Sequence, residues 1–156
     1  MSELNKNKIG FLVALINEFG QRFGLSTADS YRYINKYGGV QMFLEHYDIL
    51  HTLSFRDMVD GLAAYCKRQG GSLEWFQYAF WAISETMTLT EGQFQYMLEG
   101  MTADLIRMVM ENEGLSMPDA FDKVYNSRTY QNLLNPLSQL YYQSPGYVYT
   151  CLCTEA

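Results

Sequence analysis

"GLSTADSYRYI" (residues 24–34) and "GLSMPDAFDKV" (residues 114–124) begin 90 positions apart, and Gly, Leu, Ser and Asp recur in register between them. Each stretch reads as the junction of two helices. A glycine stops one helix, a serine hydroxyl caps the next, and an aspartate three residues on gives a capping-box-like arrangement. The register extends without gaps: Leu15 and Ile16 fall on Leu105 and Ile106, Leu44 on Leu134, Leu50 on Leu140, Ser54 on Ser144 and Leu62 on Leu152. Caps, stops and core positions are what a common helical scaffold requires, so the chain reads as two diverged copies of one all-helical module. Chance likeness is the competing explanation, because helices joined by a glycine stop and a serine cap are common.

The local patterns agree with that reading. Phe11, Leu12, Leu15, Ile16, Phe19 and Phe23 recur in steps of three and four, predicting a helix that ends at Gly24. A second helix runs from the Ser26 cap to Tyr37-Gly38-Gly39, and a short third covers residues 40–46. "YDILHTLSF" (47–55) interrupts the helical pattern. Ser54 with Asp57 then restarts it, carrying Met58, Val59, Leu62 and Cys66 up to Gly70-Gly71, a natural module boundary. Ser72 caps "LEWFQYAFWAI" (73–83), whose Trp75, Phe76, Phe80 and Ile83 are too apolar for a free linker, which predicts a bridging helix packed on both modules. Thr90 and Gln93 form a further capping box ahead of a long helix to Gly114, with Phe94, Met97, Leu98, Met101, Leu105, Ile106 and Val109 on one face. "YVYTCL" (147–152) has strand propensity, whereas Ser144-Pro145 before it reads as a helix start, and both readings stand. The expected fold is all-α: helical modules at 1–71 and 90–156 joined by a bridging aromatic helix at 72–89.

With 156 residues, 48% of them hydrophobic and 15% aromatic, the chain has ample material for the core of one ordinary domain or two very small ones. No run approaches the ~20 apolar residues of a membrane helix, and "MSELNKNKIG" lacks the apolar core of a signal peptide, so a cytoplasmic protein is expected. Cys66, Cys151 and Cys153 are odd in number, and Cys-x-Cys fits neither a redox pair nor a four-ligand zinc pattern, which predicts reduced thiols. Charge is unevenly placed. Residues 1–71 carry eight Lys/Arg against seven Asp/Glu, near +1, and residues 72–156 carry three against ten, near −7. Such a surface repels phosphate backbones and disfavours nucleic acid, whereas a basic protein partner suits it.

Both histidines lie in "HYDILHT" (46–52), with Asp48 between them. Under the 90-residue register His46, Asp48 and His51 fall on Pro136, Ser138 and Tyr141, so the scaffold does not require them. Three candidate ligands with no fourth nearby in sequence make a poor zinc site. A structural role for His51 and Thr52 ahead of the Ser54 cap is expected instead, with imidazole and hydroxyl bonding loop backbone groups. There is no nucleophile elbow, no phosphate-cradling glycine loop and no activated cysteine, so no catalytic residue and no cofactor is expected. Asp119 and Asp122 lie one turn apart at a helix start. Thirteen tyrosines are unusually many, and Tyr141, Tyr142, Tyr147 and Tyr149 cluster in "LYYQSPGYVY" (140–149), where rings fill a core or form a contact surface.

"EHYDILHTLSF", preceded by the "GLS" cap and followed by "RDMVDGLAAYCKRQGG", makes residues 9–71 resemble the small bacterial family called domain of unknown function 3791, whose hallmark Tyr47, Asp48, Ile49, Leu50, His51 and Thr52 match. Residues 90–153, with the Leu-Tyr-x-x-Ser-Pro-x-Tyr-Val-Tyr ending, resemble a companion family of small helical proteins from gut bacteria. The resemblance implies genes near ADP-ribosyltransferase-like proteins of toxin type, and thus a neutralising or adaptor role; it assigns no catalytic residue. The leading expectation is a non-enzymatic, antitoxin-like protein of a bacterial cytoplasm or its phages. It would occlude a basic partner with Tyr141, Tyr142 and Tyr147 as anchors and Asp119 and Asp122 as steering charges. Tyr47, Asp48, His51, Thr52 and Ser54 would form a structural motif. The alternatives are a helix-turn-helix-like DNA-binding regulator working through the Lys/Arg of residues 1–71, and a small hydrolase using His51.

Overall fold

The computed structural model describes residues 1–73 and 90–155, which are mostly helical and form no strand. The expected bridging helix at 72–89 falls largely outside the described residues. The described chain divides into two compact units, residues 11–73 in one and residues 1–10 with 90–155 in the other.

The first unit is built on the part of α1 (Glu3–Phe23) from Phe11 onward, whose Leu12, Leu15, Ile16 and Phe19 are fully buried, the apolar stripe set by their three and four residue spacing. Gly24 ends the helix at φ +67°, a left-handed conformation that costs glycine little, and the Leu25 amide donates back to the Gly20 carbonyl at 2.9 Å. The Ser26 hydroxyl accepts the Asp29 amide at 3.1 Å and starts α2 (Thr27–Lys36). α3 (Gly39–Glu45) packs against α2 and against α5 (Phe55–Arg68), itself capped by Ser54. Tyr31, Ile34, Val40, Phe43, Met58, Leu62 and Cys66 close the core, each large apolar side chain contributing ~1.5–3 kcal/mol by leaving water.

One expectation is corrected here. Residues 47–55 do not all interrupt the helical pattern, because Tyr47–Leu50 form a single helical turn, α4. The His46 carbonyl accepts the amides of Ile49 and Leu50 at 3.1 and 3.0 Å. The Tyr47 ring is held 6.1 Å from Phe11 and 5.7 Å from Phe43, edge-on to both, and this packing sustains a turn that local pattern does not announce.

The second unit repeats the plan. α6 (Glu91–Glu113) starts with the Thr90/Gln93 capping box and ends at Gly114, again at φ +67°. α7 (Met117–Tyr125) and α9 (Pro145–Cys153) pack on α6, and α8 (Arg128–Leu133) packs on α7 and α9. "YVYTCL" is therefore helical. The Ser144 hydroxyl accepts the Tyr147 amide, and Pro145 sits where its missing N–H is harmless. Shifted by 90, α2 becomes 117–126 against Met117–Tyr125 for α7, and α5 begins at 145 as α9 does. Buried residues pair under the same shift: Tyr31 with Phe121, Ile34 with Val124, Phe43 with Leu133, Met58 with Val148, and Leu62 with Leu152. The copies part at α4, whose counterpart is two 3₁₀ turns, Pro136–Ser138 and Leu140–Tyr142, where Leu137 replaces buried Tyr47 and is 79% exposed.

Candidate functional sites

In the histidine segment the side chains serve their own turn. His51 stacks on Tyr47 with ring centroids 4.7 Å apart and planes 12° from parallel. Its Nδ1 lies 2.6 Å from the Tyr47 carbonyl oxygen, and since a carbonyl only accepts, Nδ1 carries the proton. Thr52 Oγ1 donates to the Ile49 carbonyl at 2.7 Å, and Ser54 donates to Asp57 at 2.7 Å while accepting its amide at 3.1 Å. His46 and Asp48 are exposed on either side of buried Tyr47. Among the described residues no three His, Cys, Asp or Glu side chains converge as metal ligands.

The tyrosines of the second unit separate by environment. Tyr141 is buried, its ring edge-on to Phe94 at 5.0 Å and 4.4 Å from Tyr142. Tyr142 and Tyr147 are 53% and 55% exposed, so of the three candidate anchors these two face solvent, whereas Tyr141 is buried against Tyr142. Asp119 and Asp122 are exposed on α7, Asp119 accepting the Ser116 hydroxyl at 2.5 Å and Asp122 the Asn126 amide at 3.0 Å. Tyr149 donates to Glu113 at 3.3 Å, and Lys123 donates to the other Glu113 oxygen at 2.5 Å. The Tyr149 phenol is pushed up to about 12, first by its hydrogen bond with Cys153, then by burial and by the negative charge of Glu113.

Two features carry no local sequence signal. Glu155 spans its carboxylate across the start of α8, accepting the amides of Arg128 (2.8 Å) and Thr129, while Ser127 accepts that of Tyr130 at 2.9 Å. The first three amides of that helix, which have no partner within it, are thereby satisfied. In the first unit a cavity of about 170 Å³ opens between α3 and α5. Its deep wall is buried Leu15, Phe43, Met58 and Leu62, and its rim is Met42, Leu50, Leu53, Asp57, Gly61, Tyr65 and Arg68.

The cations of residues 1–71 are partly spent on neighbours. Arg22 pairs with Asp60 at 3.2 Å, Arg32 with Asp29 at 3.1 Å, and Lys6 with Glu3 at 3.5 Å. No helix among the described residues is long and apolar enough to cross a membrane.

No curated protein matches the chain, and no solved structure matches it. The family described as "Protein of unknown function (DUF3791)" matches residues 10–69, so the stretch from within α1 to the end of α5 resembles that family.

Proposed function

We propose that this chain is a non-enzymatic protein-binding module, antitoxin-like, that sequesters a basic bacterial protein such as an ADP-ribosyltransferase-like toxin. The observation that carries this reading is the pair of exposed rings, Tyr142 and Tyr147, on a unit whose described residues 90–155 hold eight Asp/Glu against three Lys/Arg. Aromatic rings that face water are the usual anchors of an interface, and surrounding charge of one sign steers a partner of the other. Asp119 and Asp122 supply part of that charge. The ion pairs of Arg22 and Arg32 leave less positive charge for phosphates, which weighs against a DNA-binding regulator. Likeness of residues 90–153 to small helical proteins of gut bacteria, and genes beside toxin-type transferases, belong to this same proposal, as does a place in a bacterial or phage-infected cytoplasm.

The test is reconstitution with an ADP-ribosyltransferase-like protein from the neighbouring genes. Co-expression should restore growth, and surface plasmon resonance should show that Asp119→Asn with Asp122→Asn slows association in a salt-dependent way, whereas Tyr142→Ala speeds dissociation. Unchanged kinetics in a folded Tyr142→Ala protein would remove that ring from the interface, and no complex at micromolar concentration would remove the transferase as partner.

A further inference from the structure

We propose that the cavity between α3 and α5 is a binding site for a small apolar carboxylate, its hydrocarbon part seated along Gly61, Leu62 and Tyr65 and its carboxylate on Arg68. Three observations lead there. The first is internal comparison. Under the 90-residue shift the deep-wall residues Leu15, Phe43, Met58 and Leu62 meet Leu105, Leu133, Val148 and Leu152, all buried, so both copies need them as core. Most of the rim is different: Met42, Leu53, Gly61 and Tyr65 meet Asn132, Gln143, Cys151 and Glu155. The same helical plan forms with a polar rim in the second copy, so the apolar rim of the first copy is not demanded by the fold.

The second observation is space. A side chain at Gly61 would meet nothing within 4 Å, and Leu53, which also lines the cavity, is 43% exposed, so the cavity is open to solvent. An apolar cavity of ~150 Å³ takes up a benzene ring, so 170 Å³ accepts one ring or a chain of about six carbons. The third is charge. Arg68 lines one end and forms no ion pair among the described residues, whereas Asp57 lines the other end and is held by the Ser54 hydroxyl at 2.7 Å. The two are 11 residues apart on α5, roughly 16 Å along the helix axis, so an anion at Arg68 lies far from the one acid of the rim. An apolar slot with a cation at one end selects a hydrocarbon with a carboxylate head, because guanidinium and carboxylate make charge-assisted hydrogen bonds.

Titration of the isotopically labelled full chain with hexanoate and benzoate, followed by amide NMR, tests this. Saturable shifts are expected at Gly61, Leu62 and Tyr65, with a Kd on the order of 1 mM, as suits so few atoms. Hexylamine should bind at least about tenfold more weakly, and Arg68→Gln should weaken hexanoate by about tenfold. Gly61→Leu, which fills the slot from an open helical position, should abolish binding while distant resonances stay in place. Equal binding of hexanoate and hexylamine, no saturable shift at these amides, or indifference to both substitutions would each overturn the proposal. So would shifts at the same amides on raising protein concentration alone, which would make a second copy of the chain the occupant.

Discussion

Replacing Glu155 by alanine should loosen α8 without touching its sequence. The carboxylate holds the amides of Arg128 and Thr129, and a backbone hydrogen bond to a charged acceptor is worth about 1.5–3 kcal/mol net. Arg128 is exposed, so water recovers most of its loss, but Thr129 is 3% exposed and recovers little. The expected total is therefore about 2 kcal/mol, less than two full bonds. With six residues, α8 is far too short to persist on its own propensity, so this loss should appear as local fraying. Amide exchange followed by NMR at constant pH reads it directly, and 2 kcal/mol corresponds to roughly 30-fold faster exchange at Thr129 and Tyr130. Glu155→Gln keeps one oxygen acceptor and should fall between wild type and alanine. Unchanged exchange at Thr129 in the alanine variant would refute the reasoning, because the amide would then be protected by something other than this carboxylate.

Other consequences follow from buried or perturbed groups. The Tyr33 hydroxyl is buried with no hydrogen-bond partner among the described residues, so Tyr33→Phe should raise the stability of its unit by about 1 kcal/mol in urea denaturation. Gly71→Ala should lower it, since a Cβ there would lie 2.3 Å from that hydroxyl and 2.9 Å from the Cys66 carbonyl oxygen. The Tyr149 phenol rises from 10.0 to about 12 on folding, so its contribution is fully present below pH 10 and is lost between pH 10 and about 12. Tyr149→Phe should flatten the fall in melting temperature across that window. Burial pushes the Cys66 thiol up to about 11 and leaves it inaccessible, so a disulfide reagent at pH 8 should modify exposed Cys153 while sparing Cys66, as mass mapping would show.

What could be read from the sequence follows the range of the interactions concerned. Caps act within three residues, and Ser26, Ser54, Thr90, Ser116 and Ser144 all start helices where the serine or threonine and its spacing predict them. The glycine stops at 24 and 114 are equally local. The α4 turn was hidden because it depends on Tyr47 reaching Phe11, 36 residues away. The same holds for Glu155, 27 residues from the amide it caps, and for the cavity, which exists only once α3 lies against α5. Neither Tyr141 nor Tyr142 announces its environment. They are adjacent on one 3₁₀ turn, and only the approach of Phe94 decides which ring is covered.

The repeated plan makes one position informative beyond its own surroundings. Five described helices begin with a serine cap, and three of them, α2, α5 and α7, place Asp at the third helical residue: Asp29, Asp57 and Asp119. An acid there suits the partial positive charge of a helix N-terminus. The other two carry tyrosines. In α8 the ring of Tyr130 is 1% exposed and the core accounts for it, whereas in α9 Tyr147 is 55% exposed and packing does not. Tyr147→Asp should therefore stabilise α9 by about 0.3–1 kcal/mol in a thermal melt at low salt, supplying the acid that Asp57 supplies at the same place in the first copy. If the exposed ring is a partner anchor, the same substitution should weaken the complex despite the more stable fold, through faster dissociation. Opposite signs for stability and binding would separate a contact residue from a structural one. A stabilised Tyr147→Asp protein that holds its partner as firmly as wild type would strike Tyr147 from the interface.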